Sequence, residues 1–331
     1  MLNFRSLATI ATIAMISAIS APDQAAAKDT IKFATQQDPV FIAAVYPIQT
    51  GKVKSDLVDI EFSFLGIAGL NQAPVTRQYD VIHTASISVP RAREQGIPMN
   101  IIAISNRYPR AGDGANIWVK DSSPYKTLAD LKGRTIGTYG LNSGGFINVR
   151  QVLALKFGFN VDLEKGDFRF VELPAPALPA ALDSGRIDAA TLVHAQIFKA
   201  KQAGGFRSLV KVQQEAYELF GVQVPSLVLA AYTERLAAKP VAYRAFLKLL
   251  QDSMAYIRAN SGEVFKAVGA QQKIDPAYFK MWFEEFGDIP YSLGPNDIVG
   301  LRKSWEASRK IGALDKVPEV KDLVWSGGMQ K

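Results

Sequence analysis

The 331-residue chain contains no cysteine. That excludes disulfides, thiolate metal ligands, a cysteine nucleophile and a lipid-anchored cysteine at an export junction. Histidine is nearly missing too, with His83 and His194 alone. Two histidines without a neighbouring run of carboxylates or cysteines make a poor metal site, so neither a metal nor another cofactor is expected. No Gly-x-Ser-x-Gly run offers a serine nucleophile. No glycine-rich turn ends in the Gly-Lys-Ser/Thr of a phosphate-binding loop, which argues against nucleotide binding. The formal charge is +7, but the basic residues are scattered. Nucleic-acid binding calls for a clustered basic patch with interleaved aromatics, so no nucleic-acid partner is expected. A diffuse basic excess instead draws small anions.

What is present begins with the N-terminus. Met1–Arg5 carries one positive charge, and Leu7–Ile19 is apolar and about 13 residues long, too short to span a bilayer comfortably. Ala25-Ala26-Ala27 follows with the small residues a signal peptidase needs. This tripartite pattern predicts a signal peptide over 1–27, cleaved after Ala27, and hence a periplasmic protein starting at Lys28. No later apolar run reaches membrane-spanning length.

Beyond Lys28 the pattern alternates. Strand-like runs at Thr30–Ala34, Leu57–Phe64, Tyr79–His83 and Met99–Ser105 are separated by helical spacing at Val40–Gln49, Asn71–Gln78 and Val89–Gln95. The same grammar restarts with strands at Ile117–Lys120, Arg134–Thr138, Phe168–Leu173 and Ile187–Val193. Helices are predicted between and after them at Thr127–Lys132, Phe146–Phe157, Ala177–Leu182 and Ala195–Gln202. A stretch without clear period then leads to a strand at Ser226–Tyr232. Helices follow at Pro240–Ala259, Ser261–Val268, Pro276–Glu285 and Pro295–Ile311. The order predicts two α/β halves with mostly parallel sheets and a helical C-terminal part. Asp80-Val81-Ile82 and Asp188-Ala189-Ala190 form a weak internal echo, each placing an aspartate where a helix turns into a strand.

The run Leu131-Lys132-Gly133-Arg134-Thr135-Ile136-Gly137, with Thr127-Leu128-Ala129-Asp130 before it, resembles a signature of periplasmic substrate-binding proteins of ABC importers. So do Pro179–Ala189, Leu227–Lys239 with Pro240, Tyr79-Asp80 and Gly96-Ile97-Pro98. In order and spacing they are similar to the nitrate/sulfonate/taurine branch, which also holds thiamine-precursor and aromatic-acid binders. The resemblance implies the two-lobed type II periplasmic-binding-protein fold, with two doubly wound sheets and two crossings near Asp113–Ile117 and Val222–Ser226. Lobe one is then 28–112 plus 223–331, and lobe two 113–222. It implies a monomer that closes on a small molecule and docks on an importer permease, touching the membrane only through that partner. Many relatives carry an acidic residue and proline where this chain has His194-Ala195. Others have glycines where it has His83-Thr84-Ala85-Ser86.

The turn Tyr139–Gly145 joins a strand to a helix, where free N–H groups and the helix dipole favour an anion. Asn142, Ser143, Gly144 and Gly145 are the expected contacts there, the glycines leaving room for a ligand's oxygens. Gln37 and Asp38 sit in a second such turn; Asp38 also reads as a helix cap. His83, Thr84, Ser86 and His194 complete the ligand-binding set, and a charged His194 would make affinity fall as pH rises. Arg107 and Arg110 read as surface residues with a possible anion role. Phe41, Tyr46, Tyr108 and Phe146 stand near the expected cleft but read as core, as do Phe279, Trp282, Phe283 and Phe286.

The expected function is capture of a small organic anion, a sulfonate or carboxylate, for import. No catalytic residues and no enzyme activity are expected. Enzymes on this fold, the thiamine-pyrimidine synthases and aromatic desulfinases, depend on cysteines, so their chemistry does not transfer. The alternatives are a non-cysteine lyase or isomerase on the same fold, or the binding component of another transport or sensing system.

Overall fold

The computed structural model describes residues 28–108, 110 and 112–328; the expected signal peptide lies outside the described residues. The first α/β run is β1 (Asp29–Gln36), α1 (Pro39–Gln49), β2 (Val58–Leu65), α2 (Ile67–Thr76), β3 (Val81–Ala85), α3 (Ser88–Glu94) and β4 (Met99–Arg107). The second opens with β5 (Ile117–Lys120), β6 (Thr135–Thr138), α4 (Gly144–Leu155), β7 (Arg169–Glu172) and α5 (Leu178–Asp183). It closes with β8 (Ala189–Thr191), α6 (His194–Ala203), β9 (Phe206–Val210) and α7 (Val212–Phe220). After β10 (Pro225–Tyr232) come α8 (Thr233–Ala238), α9 (Pro240–Ala259), α10 (Ser261–Gln272), α11 (Ala277–Met281), α12 (Pro295–Lys310) and α13 (Val320–Leu323).

The strands form two five-stranded sheets, ordered β2-β1-β3-β10-β4 and β7-β6-β8-β5-β9. β1 pairs in parallel with β2 and β3, and β6 with β7 and β8. β10 is antiparallel to β3 and β4, and β5 to β8 and β9. The expectation of mostly parallel sheets therefore needs one correction: each sheet carries one reversed strand. The reason is topological. The chain leaves the first sheet at the end of β4 and enters the second as β5; it returns as β10. A strand arriving from the other sheet starts at the facing edge, where the parallel strands finish, and must run away from it.

The aspartate echo is a true structural equivalence. Asp80 N–H donates to Lys32 O of β1 while its carboxylate accepts from Lys32 N–H. Asp188 N–H donates to Thr135 O of β6 while its carboxylate accepts from Thr135 N–H. Both aspartates thus extend the parallel ladder past the strand start and fix register between the same two strand positions.

Elsewhere the sequence pattern shifts in detail. α2 begins at Ile67 rather than Asn71 and stops at Arg77, whose φ of 54° is left-handed. The stretch without clear period holds β9 and α7. The predicted helix 276–285 breaks into α11 and a single π turn, Trp282–Phe286. α12 ties the halves together: Trp305 is buried in the first sheet's core, and Ala307 in that of the second. From the α4 side, Gln151 Nε2 donates to Ser304 O at 2.9 Å and Ser308 Oγ at 2.8 Å.

Candidate functional site

β1, β2, β6 and β8 each pass directly into a helix, and the starts of α1, α2, α4 and α6 line one cleft between the sheets. This is where ligands lie in open α/β sheets, outside the carboxyl ends of the strands. The cleft has an inner chamber of about 60 Å³ and an outer vestibule of about 610 Å³. Gln36, Ile67, Tyr139 and Val193 border both.

The chamber is built on the first turn of α4. Ser143 is its cap: Oγ accepts from Phe146 N–H at 3.3 Å and donates to Gly140 O at 2.8 Å. The Gly144 and Gly145 N–H groups make no protein hydrogen bond among the described residues. Such groups carry the positive end of the helix dipole. Gly144 and Gly145 both line the chamber, and at each the place of a side chain is taken by the protein itself. A Cβ on Gly144 would lie 2.7 Å from Ser226 O, and one on Gly145 would collide with the Tyr139 hydroxyl and stand 3.0 Å from that of Tyr108. The space is filled by the protein's own polar groups, which press against the helix start. Burial pushes the Tyr139 phenol up to about 12 and that of Tyr108 higher still, so both stay protonated donors.

His83 and Thr84, at the cleft end of β3, form the opposite wall. His83 Nδ1 shares a hydrogen bond with Thr35 Oγ1 at 3.1 Å, and Phe41 packs edge-on against its ring. His83 Nε2 and Thr84 Oγ1 are buried without a protein partner. Buried polar groups are rarely left so. Burial holds the His83 pKa near 3, so the ring is neutral. Asn106 and Ser226 bond across β4 and β10 through Nδ2 and Oγ at 2.9 Å and also line the chamber.

His194 opens α6. Its ring stacks on Phe286 at 5.0 Å, and Nδ1 accepts from Trp282 Nε1 at 3.0 Å. Burial holds its pKa near 4. It is therefore not the charged contact expected, and it confers no titration on the site near neutral pH. Among the described residues, no formally charged side chain lines the chamber. The vestibule is largely apolar, with Ile67, Leu173, Pro174, Pro176 and Val193 in its wall and Glu172 and Asp38 as its carboxyls.

The other expected residues divide. Gln37 is exposed on the vestibule wall. Asp38 is there too, but as the α1 cap: Oδ1 accepts from Val40 N–H and Tyr278 Oη, both at 3.0 Å. Burial raises its pKa to about 6. Ser86 is buried behind the chamber, its N–H on Ser226 O. Asn142 is exposed and faces away, accepting from Arg91 at 3.0 Å. Arg107 is held by Asp297 and Asp288, and Arg110 lies over Tyr217. Phe41 and Phe146 are core; Tyr108 is a wall residue, which its neighbours in sequence did not reveal. Tyr139, Asn106 and Ser226, which line the chamber, and Trp282, which bonds to His194 from the core, were not among the expected contacts. Only Tyr139, as the first residue of the glycine-rich turn, carried a sequence signal.

Residues 71–263, more than half of the chain, match the family model described as NMT1/THI5 like. The chain belongs to the NMT1/THI5-like family. No curated protein sequence matches it. Among solved structures, this family member is similar to the alkanesulfonate-binding protein SsuA from Xanthomonas axonopodis pv. citri bound to MOPS. The TM-score is 0.71 at 16% identity, covering 91% of this chain and 99% of that one. It is similar to the periplasmic aliphatic sulphonate binding protein SsuA from Escherichia coli, with a TM-score of 0.69 at 14% identity over 92% and 94% of the two chains. The desulfurization enzyme DSZB also aligns, at 0.60 and 16% over 90% and 96%. These likenesses establish the periplasmic-binding-protein fold.

Proposed function

We propose that this protein is the periplasmic binding component of an ABC importer and captures a small organic anion, a sulfonate or carboxylate. The observation that carries this reading is the chamber. Among the described residues it presents unbonded N–H groups of a helix start, two protonated phenols and two neutral imidazoles, and no carboxylate. Neutral donors hold an anion without a buried full positive charge, which is costly when unpaired. Hydrogen bonds to a charged group contribute about 1.5–3 kcal/mol each, so two or three suffice for useful affinity. The apolar vestibule suits the organic remainder of the ligand. Residues 28–112 with 223–331 and residues 113–222 act as lobes closing about the crossings at 113–117 and 222–226, in a monomer that then docks on the permease. Export through a signal peptide over 1–27 fits this role.

The test is mass spectrometry of small molecules released from purified protein, followed by calorimetry with MOPS and a short aliphatic carboxylate. An anion that is bound and returned unchanged is expected. A cationic ligand, or steady consumption of the bound molecule, refutes the reading.

A further inference from the structure

His194 stands where the inner chamber meets the vestibule: it lines the first, while Ala195 and Gln196 line the second. Its Nδ1 accepts a hydrogen bond from the Trp282 indole. An indole N–H only donates. Nδ1 must therefore be the bare nitrogen, and in a neutral imidazole the proton then resides on Nε2. Nε2 has no protein hydrogen bond among the described residues, and His194 is part of the chamber lining. We propose that His194 is a fixed hydrogen-bond donor, its tautomer locked by Trp282, that positions an acceptor oxygen of the bound ligand. The inference rests on the anion-binding reading above and deepens it: the ligand carries an acceptor at the chamber mouth as well as at the α4 start.

The lock has two parts. Phe286, stacked nearly parallel at 20°, fixes the ring plane, and Trp282 fixes its rotation. Both come from the π turn Trp282–Phe286, a local geometry that recurs at functional sites. Both side chains are fully buried, so the lock is rigid. Protonating Nδ1 would break the indole bond and place a charge in a dry site. The low pKa of His194 agrees with that cost. The ionisable groups on the elements packed around the ring are Lys199 and Lys201 of α6, Tyr278 and Lys280 of α11, and Glu284 and Glu285 of the π turn. From the chamber walls come His83, Tyr108 and Tyr139. Lys201 is engaged with Asp113 and Glu285, Lys280 with Glu284 and Tyr278 with Asp38, and none hydrogen-bonds to the ring.

The experiment is long-range 1H–15N correlation on uniformly labelled full-length protein. Two histidines give two ring systems, and His194→Phe assigns them. The expected result is an Nε2-protonated His194 that does not change between about pH 5 and 8, where free histidine titrates. Trp282→Phe, which keeps the bulk and removes the donor, is expected to bring up the Nδ1–H tautomer. A ring that titrates in this range, or carries its proton on Nδ1, in the unaltered protein overturns the proposal. With MOPS as probe, His194→Phe is expected to weaken binding about tenfold or more, and His194→Gln, which restores an N–H donor, to recover part of it. Equal affinity in His194→Phe overturns the positioning role. An intact Nε2–H signal with no MOPS binding by the unaltered protein overturns only the sulfonate reading.

Discussion

At the α4 start, the Tyr139 hydroxyl lies well inside contact distance of any Cβ on Gly145, with that of Tyr108 just behind it. Gly145→Ala must push the Tyr139 ring out of the chamber wall. Overpacking of this kind costs about 1–3 kcal/mol. The expected outcome is a lower urea midpoint by that amount together with loss of MOPS binding, read by denaturation and calorimetry. His83 makes a separate, pH-dependent prediction. Its pKa is about 3 folded against 6.5 for the free group, so over that window the unfolded state binds more protons and stability falls as pH falls. His194, at about 4, acts in the same sense. Asp38 opposes them: raised from 3.8 to about 6, it binds protons preferentially in the folded state between those values, and stability gains there on acidification. Two losses against one gain give a net fall below about pH 6.5. His83→Gln should make that fall shallower without changing the slope above pH 7, measured as urea midpoints at several pH values. The sequence showed that the Tyr139–Gly145 turn and His194 follow strands and that His83 lies in one. It could not show whether the glycine space would be filled, because the phenols that fill it come from positions 108 and 139 and meet only in three dimensions.

Among the elements, the start of α12 does most to fasten the region around the first crossing. Asp297 caps that helix by accepting from Gly294 N–H at 2.8 Å, and its two oxygens take Arg107 Nε and Nη2 at 2.6 and 2.7 Å. Arg107 ends β4, immediately before the chain leaves the first sheet. Asp297 is 2% exposed, so removing it leaves Arg107 with the exposed Asp288 as its remaining carboxylate partner. Asp297→Ala is expected to cost about 1–3 kcal/mol, seen as a lower melting temperature, with the MOPS affinity of the remaining folded protein little changed because the pair lies away from the chamber. The helix periods at 240–259 and 295–311 were legible because each has proline at its first turn, and the first also has a long apolar face. β9 and α7 were not, because Phe206–Val210 is only partly buried on an edge of the sheet and shows no clean alternation. The π turn was read as plain helix, since apolar residues at 279, 282, 283 and 286 fit a 3.6 period. Trp282 and Phe286, four positions apart, both meet the same imidazole.

For the whole molecule, the resemblance in a few short motifs carried further than any period, and the fold agrees with it down to the paired aspartates. The substrate did not come with it, because the chamber is walled by residues, His83 and His194 among them, that depart from the usual pattern. If the two sheets move as lobes, ligand binding should reduce the radius of gyration at constant mass, which small-angle scattering with and without MOPS will show; an unchanged radius at saturation argues for a rigid cleft. The reversed strands have a consequence for how the chain is made. Asn106 and Ser226 bond across β4 and β10, yet stand 120 positions apart. On a growing polypeptide, β3 and β4 therefore wait with an empty slot between them and unsatisfied edges until β10 has been synthesised. The second sheet has no such wait, since its five strands lie within residues 117–210. The half that is translated later is the half able to finish first, and the N-terminal half must remain an open template until residue 232 of 331 has been added.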